Sequence, residues 1–186
     1  MMINTHRLLL KNASQIEEAT KEVSDQIISA TASYSDSFSE SLRVHSNGFL
    51  GERLTTAFTA VAEVTVADPS GGRPEDYDYA VSRHFAQLPS PESIGQSAAN
   101  RALRKIGQKK MNSGRYTMIV ENRAAVRLLS MLQEPMSARA LQQKSSFLDG
   151  KLGQAIASAQ LTMIDDPFIP GGLGSRLFDG EGLAAK

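Results

Sequence analysis

The sequence contains no cysteine, only three histidines and no long apolar run. Without cysteine the chain can form neither a disulfide nor a thiolate metal site, which fits a reducing compartment. No apolar run approaches the roughly 20 residues that a membrane-spanning helix needs. The first residues also lack the pattern of a signal peptide, since their apolar part is only residues 8–10. We therefore expect a soluble, cytoplasmic protein that does not enter a membrane.

An excess of charge is also missing. Twenty basic residues balance 20 acidic ones, so the formal net charge is zero. With no overall positive field, binding to nucleic acid would require a local basic patch. The densest basic stretch, residues 101–110, ends a predicted helix, where positive charge complements the helix C-terminus. A nucleic-acid patch is the alternative, but no aromatic side chains interleave with these residues, and we expect no direct contact with nucleic acid.

Motifs for common catalytic sites are missing too. The histidines, His6, His45 and His84, are never three or four residues apart, so no helix can present two of them to one metal ion. We expect each in a strand or a loop. There is no Gly-x-Ser-x-Gly nucleophile elbow, no Gly-x-x-x-x-Gly-Lys-Ser/Thr phosphate loop and no Gly-x-Gly-x-x-Gly dinucleotide motif. Residue chemistry alone therefore yields no active site.

The first half of the chain contains the clearest strand patterns. Residues 55–67 alternate between apolar and mixed side chains, which is the period of a strand with one buried face. Turn signals lie on both sides, Ser-Asn-Gly at 46–48 and Asp-Pro-Ser-Gly-Gly at 68–72. Residues 75–85 predict a further strand. Together these segments predict an antiparallel meander.

Helix signals flank this meander. Ser14 and Glu17 form a capping box before apolar residues that recur at steps of three and four. Residues 6–12, just before the box, predict a short buried strand. The sequence Ser-Pro-Glu at 90–92 predicts the start of a second helix, which runs to about Ile106. We thus expect an α+β fold in which helices pack on an antiparallel meander.

The second half predicts shorter elements. Residues 115–120 and 161–164 predict strands, and Asn122 is the expected cap of a helix that Pro135 interrupts or ends. Its inward-facing residues should be Ala125, Leu128, Leu129 and Leu132.

Four carboxylates, Asp165, Asp166, Asp179 and Glu181, lie in a glycine-rich region near residue 186. They could bind a hard cation through oxygen ligands. Their spacing matches no calcium loop, however, and we favour carboxylates that accept hydrogen bonds from exposed backbone N–H groups.

Several motifs follow one another in a fixed order. They are SNGF at 46–49, LPSPESIG at 88–95, SGRYTMIVEN at 113–122, KSSFLDGKLGQ at 144–154, LTMIDDP at 161–167 and PGGLGSRLFDGEG at 170–182. In this order they resemble the TldD/PmbA family, also called the modulator-of-DNA-gyrase family, over about residues 40–186. Each motif alone is weak, but the last three at this spacing are a strong signal.

The resemblance implies one of two related subunits that assemble into a metalloprotease. The TldD-type subunit carries a His-Glu-x-x-x-His helix just before the equivalent of residues 144–154, with two zinc ligands and a general base. Here residues 128–139 contain no histidine, and Glu134 is their only carboxylate. The chain is therefore most similar to the TldE/PmbA-type subunit. This implies no catalytic residue, metal ligand or cofactor in this chain, and zinc in a TldD-type partner.

The resemblance also implies a division into domains and a truncated chain. Residues 1–110 would belong to the N-terminal or middle α/β domain, and residues 111–186 would begin a mainly β C-terminal domain. Family members extend beyond both ends of this chain. The candidate residues for a subunit interface or substrate chamber are Asp165, Asp166, Gly171, Gly172, Gly174 and Arg176.

The implied partners are a TldD-type protease subunit and peptide substrates, with a homodimer as a further possibility. The alternative function is a non-enzymatic binding module that modulates DNA gyrase or another protein.

Overall fold

A computed structural model describes residues 2–186, with side chains from His6 onward. The chain divides into two compact units, Met1–Lys110 with Asp166–Lys186, and Met111–Asp165. The helices are Met2–Lys21 (α1), Pro91–Leu103 (α2), Asn122–Gln133 (α3) and Ala138–Gln142 (α4), and the strands are Ile27–Val44 (β1), Leu50–Val66 (β2) and Glu75–Ser82 (β3). Among the described residues, no helix is both long and apolar enough to cross a membrane.

The three strands of the first unit form one antiparallel sheet in the order β1-β2-β3. Residues 45–49 and 67–74 join them, and in these loops Gly48 and Gly71 have the positive φ that favours glycine. The predicted meander and the α+β class are therefore confirmed. Because β3 pairs only with residues 58–65 of β2, the paired strands β1 and β2 extend beyond it as a two-stranded ribbon.

Helices α1 and α2 pack on the sheet and bury the apolar face that alternation predicts. The core consists of Ile16, Ala60, Ala62, Val64, Val66, Ile94, Ala98 and Ala102. Helix α2 begins as predicted, since the Ser90 hydroxyl accepts a hydrogen bond from the Ser93 N–H at 3.2 Å and Pro91 follows it. It ends at Leu103, slightly before the predicted end.

The predicted strand at residues 6–12 is wrong, because this segment lies inside α1. Ser14 therefore does not cap a helix, and His6 is helical rather than in a strand or loop. A short apolar run such as residues 8–10 suits either structure, so periodicity alone could not separate them. Inside the helix, the Asn12 side-chain amide donates to the Leu8 carbonyl oxygen at 2.8 Å.

In the second unit, the helix near Asn122 is confirmed, but its predicted inward face is wrong. Glu121 rather than Asn122 occupies the N-cap, and the helix contains no buried residue. Leu128 is 50% exposed and Leu129 is 36% exposed. Between Met111 and Asp165, all of which the structure describes, there is no strand, so the strands predicted at 115–120 and 161–164 are wrong as well. A strand needs a neighbour to take up its backbone hydrogen bonds, and neither segment has one.

Candidate functional site

Residues 166–186 pack against the sheet within the first unit, and three arginines hold them there. Arg43 donates to the Asp179 carbonyl oxygen at 2.9 Å, and Arg53 donates to that of Ser175 at 3.5 Å. Arg83, just beyond β3, donates to the Leu173 carbonyl oxygen. The sequence does not point to these arginines, because their partners lie far along the chain and no local pattern signals such contacts.

The glycine-rich loop, residues 166–176, is closed by its own hydrogen bonds. The Asp166 carboxylate accepts from the Phe168 N–H at 2.8 Å, the Ser175 hydroxyl donates to the Ile169 carbonyl oxygen at 2.6 Å, and the Arg176 N–H donates to that of Pro167 at 3.0 Å. The loop therefore has a defined backbone path.

The glycines of this loop differ in how well their positions would tolerate a side chain. Gly171 has a φ of 70°, which favours glycine. At Gly172 a Cβ atom would lie 2.5 Å from the Ser175 hydroxyl oxygen, whereas Gly174 faces open space. Substitution should therefore be harder at Gly171 and Gly172 than at Gly174.

A small aromatic cluster anchors the segment beyond the loop. The Phe178 ring meets the Phe49 ring edge-on, with centroids 5.2 Å apart. Phe178 pairs with Ala184 in an isolated β-bridge, and the Asp179 N–H donates to the Leu183 carbonyl oxygen at 2.9 Å. A Cβ atom at Gly182 would lie 2.7 Å from the Phe49 ring, so the turn lies directly on that ring.

The carboxylates of this region are held by backbone N–H groups. One Asp179 oxygen accepts from the Leu183 N–H at 2.9 Å and the Glu181 N–H at 2.8 Å. The bond from Leu183, then that from Glu181, lowers the pKa of Asp179, and the charge of Arg176 acts in the same direction. Asp166 and Asp179 thus both accept hydrogen bonds from backbone N–H groups. For these two of the four carboxylates, the predicted role as acceptors of backbone hydrogen bonds is confirmed. Across the described residues, no three His, Cys, Asp or Glu side chains are placed to share a metal ion.

We predict that the turn at Asp179 loosens only in acid. Because the folded pKa lies below the ordinary 3.8, stabilisation by the ionised carboxylate is complete above pH 3.8 and is lost as the pH falls toward the folded pKa. Amide exchange at Glu181 and Leu183, corrected for its intrinsic pH dependence, should accelerate only in that acidic range. In an Asp179→Ala variant both amides should already exchange faster near neutral pH. A wild-type acceleration well above pH 3.8 would contradict this.

A groove of about 490 Å³ lies between β2, the residues after β3 and the glycine-rich loop. Its lining comprises Glu52, Arg53, Leu54, Thr55, Thr56, Arg83, His84, Pro167, Phe168, Ile169, Pro170, Gly171, Gly172, Ser175, Arg176, Leu177 and Phe178. Three of the candidate residues, Gly171, Gly172 and Arg176, thus come together here. Gly174 and Asp166 belong to the same loop but do not line the groove.

The groove follows an open edge of β2. On the side of β2 that faces β3, the Val66 N–H donates to the Pro74 carbonyl oxygen at 3.0 Å. On the same side, the Thr56 carbonyl oxygen accepts from the Arg83 guanidinium group at 2.9 Å. Since backbone groups alternate sides along an antiparallel strand, those of Leu54 and Glu52 face the same edge. No strand of the described chain pairs with them there. An extended peptide can hydrogen-bond to such an edge.

The remaining candidates lie elsewhere. Asp165 falls in the second unit, where it lines a pocket with Gln133, Met136, Ser137, Met163 and Ile164. His84 lines the groove, whereas His45 lies in the turn after β1 and packs on Phe49 with ring centroids 5.2 Å apart.

Comparison with known protein families gives two matches that together cover most of the chain. Residues 8–106 match the PmbA/TldA metallopeptidase central domain, and residues 113–186 match the PmbA/TldA metallopeptidase C-terminal domain. Among curated proteins, the chain is 28% identical over 172 residues to the metalloprotease PmbA homolog of Buchnera aphidicola, which is 91% of this chain and 38% of that protein.

Two solved structures share the fold. A Bacteroides thetaiotaomicron protein described as a modulator of DNA gyrase is 39% identical, with a TM-score of 0.88 over 96% of this chain and 40% of its own. TldE from Thermococcus kodakarensis, at 21% identity and a TM-score of 0.74, covers 97% of this chain and 40% of its own, and shows likeness of fold alone. The chain thus spans between 38% and 40% of the length of these three proteins.

Proposed function

The chain belongs to the TldD/PmbA metallopeptidase family. On this basis we propose that a metalloprotease contains two kinds of subunit and that this chain is the one that does not bind zinc. In this proposal a TldD-type partner supplies the zinc ion and the general base. This chain supplies part of the wall of the peptide chamber, through its groove and glycine-rich loop.

One observation carries the proposal. Residues 128–139, which precede KSSFLDGKLGQ at 144–154, contain no histidine in a chain that otherwise matches a metallopeptidase family. Imidazole nitrogens are the usual zinc ligands of such sites, and neither Gln133 nor Ser130 replaces them.

The structure offers no other set of zinc ligands in the part of the chain that it describes. The three histidines lie in α1, in the β1–β2 turn and after β3, and no third ligand joins any two of them. The arrangement of these side chains supports the proposal that the partner holds the zinc ion.

The groove supports the role in peptide binding. Its open β2 edge offers backbone hydrogen bonds that do not depend on the peptide's sequence, and Phe168 and Ile169 offer apolar contacts.

Association with a partner is the direct test of the subunit role. When the purified chain is mixed with a TldD-type subunit that carries an intact His-Glu-x-x-x-His helix, native mass spectrometry should show a complex of the two. The chain alone in the same buffer serves as the control, and it would reveal a homodimer. If the two proteins never associate, the subunit role is wrong.

A second candidate function is a binding module that modulates DNA gyrase. It is favoured by the description of the Bacteroides protein, which shares 39% of aligned residues with this chain. The zero net charge argues against direct DNA contact, so the target would be the gyrase protein. Affinity purification that recovers gyrase but no TldD-type protein would favour this function over the first.

A further inference from the structure

A second pocket, of about 480 Å³, opens beside the groove and is lined by three arginines. Arg43 comes from β1, Arg53 from β2 and Arg176 from the glycine-rich loop. Arg53, Arg176 and Phe178 also line the groove, so the two spaces adjoin. We call this second space the arginine pocket.

The arginine pocket carries surplus positive charge. Asp179 is the only carboxylate residue in its lining, and it already accepts two backbone N–H groups. Throughout the described chain, no carboxylate oxygen lies within the 4.0 Å of an ion pair with Arg43, Arg53 or Arg176. Like charges around one space repel each other, and an anion placed between them would relieve that repulsion.

These arginines also retain unused hydrogen-bond donors. A guanidinium group has five N–H donors in a planar fork. Arg43 uses one on the Asp179 carbonyl oxygen, and Arg53 makes one long contact with Ser175. The Arg176 side chain makes no hydrogen bond to any described residue. The contacts that hold the loop therefore use only some of the N–H donors of the three arginines. A planar carboxylate could accept hydrogen bonds from the remaining donors.

We propose that the arginine pocket binds a carboxylate of a peptide that lies in the groove, either its C-terminal carboxylate or an Asp or Glu side chain. The inference rests on the proposed function, because it takes the groove to be the peptide site. A peptide along the open edge of β2 reaches Arg53 and Arg176, which belong to both spaces. The pocket would thus select peptides that place negative charge at this point.

The test uses the full chain and three fluorescent peptides of one extended sequence. One has a free C-terminus, one is amidated, and one is amidated with Glu as its last residue. Because a hydrogen bond to a charged group is stronger than one between neutral groups, we expect the uncharged amidated peptide to bind at least about tenfold more weakly, by fluorescence anisotropy, than the free-acid peptide. The affinity of the Glu peptide shows whether a side-chain carboxylate suffices.

The variant Arg176→Gln should weaken the free-acid peptide about tenfold and the amidated peptide much less, because Arg176 lines the groove as well as the arginine pocket. Because Arg176 is exposed, the substitution should not impair folding, and thermal unfolding of the variant checks that it does not. Arg73→Gln, an equal charge change at the exposed β2–β3 turn outside both spaces, should alter neither affinity.

The possible results separate the two proposals. Equal binding of all three peptides, unaffected by Arg176→Gln, would overturn the arginine pocket but leave the groove as a peptide site. If no peptide binds, both the groove and the pocket are wrong. A single-stranded oligonucleotide that binds more tightly than the peptides, and is lost in Arg176→Gln, would overturn the assignment to peptides.

Discussion

The substitution Gly95→Ala should destabilise the first unit by about 2 kcal/mol, although alanine is the better helix former. Gly95 is buried in α2 where this helix contacts α1. A Cβ atom there would lie 2.5 Å from the Ile16 carbonyl oxygen and 2.7 Å from the Thr20 hydroxyl oxygen. Because the first of these atoms is backbone, relief requires the two helices to move apart.

The neighbouring hydroxyl cannot easily give way either. Thr20 donates to the same Ile16 carbonyl oxygen at 2.7 Å, so rotating it would leave a buried acceptor with fewer partners. In the absence of a clash, Gly→Ala inside a helix should instead gain about 1 kcal/mol. The sign of the change in the free energy of unfolding therefore tests the close contact of the two helices, and urea unfolding measures it.

Gly174→Ala is the matched control, because its Cβ atom would meet open space. It should leave the free energy of unfolding unchanged or raise it slightly. If Gly95→Ala were as stable as wild type, α1 and α2 would not approach as closely as the structure shows.

The substitution Ile16→Ala should cost about 2–5 kcal/mol, the range for truncating a large buried aliphatic side chain. Ile16 is fully buried and belongs to the core cluster that α2 and the apolar face of β2 complete. For a domain of this size the midpoint of thermal unfolding should fall by about 2–4 °C for each kcal/mol.

Leu10→Ala provides the control for this change. Leu10 lies in the same helix but is 70% exposed, so its truncation removes little buried surface. The two variants should therefore differ by more than about 1.5 kcal/mol. Similar stabilities would mean that α1 does not pack on the sheet through Ile16.

The sequence predicts those elements whose signals are local. The alternation in β2 alone identifies residues that are buried in the fold, among them Ala60 and Val64. The Ser90–Pro91 start of α2 is also predicted correctly, since a cap depends on residues three positions apart.

Local signals fail where distant residues decide the structure. Residues 6–12 join α1 because the whole helix packs on α2 and the sheet, which an apolar run of three residues cannot reveal. The arginine contacts to the glycine-rich loop span about 90 residues or more of chain, so the sequence indicates the loop but not what holds it.

The candidate site shows the same limit. The glycines near residue 171 signal a loop of defined shape, and the structure places Gly171, Gly172 and Arg176 at one groove. The groove itself depends on β3 being shorter than β2, which leaves the edge at Leu54 open. Strand lengths depend on pairing, and pairing is not encoded in either strand alone.

Cleavage of an unstructured peptide by the purified chain, alone and mixed with a TldD-type subunit, tests the proposed subunit role most directly. We predict no zinc-dependent cleavage by the chain alone, and cleavage that a chelator abolishes once the TldD-type subunit is added. Zinc-dependent cleavage by the chain alone would contradict the assignment.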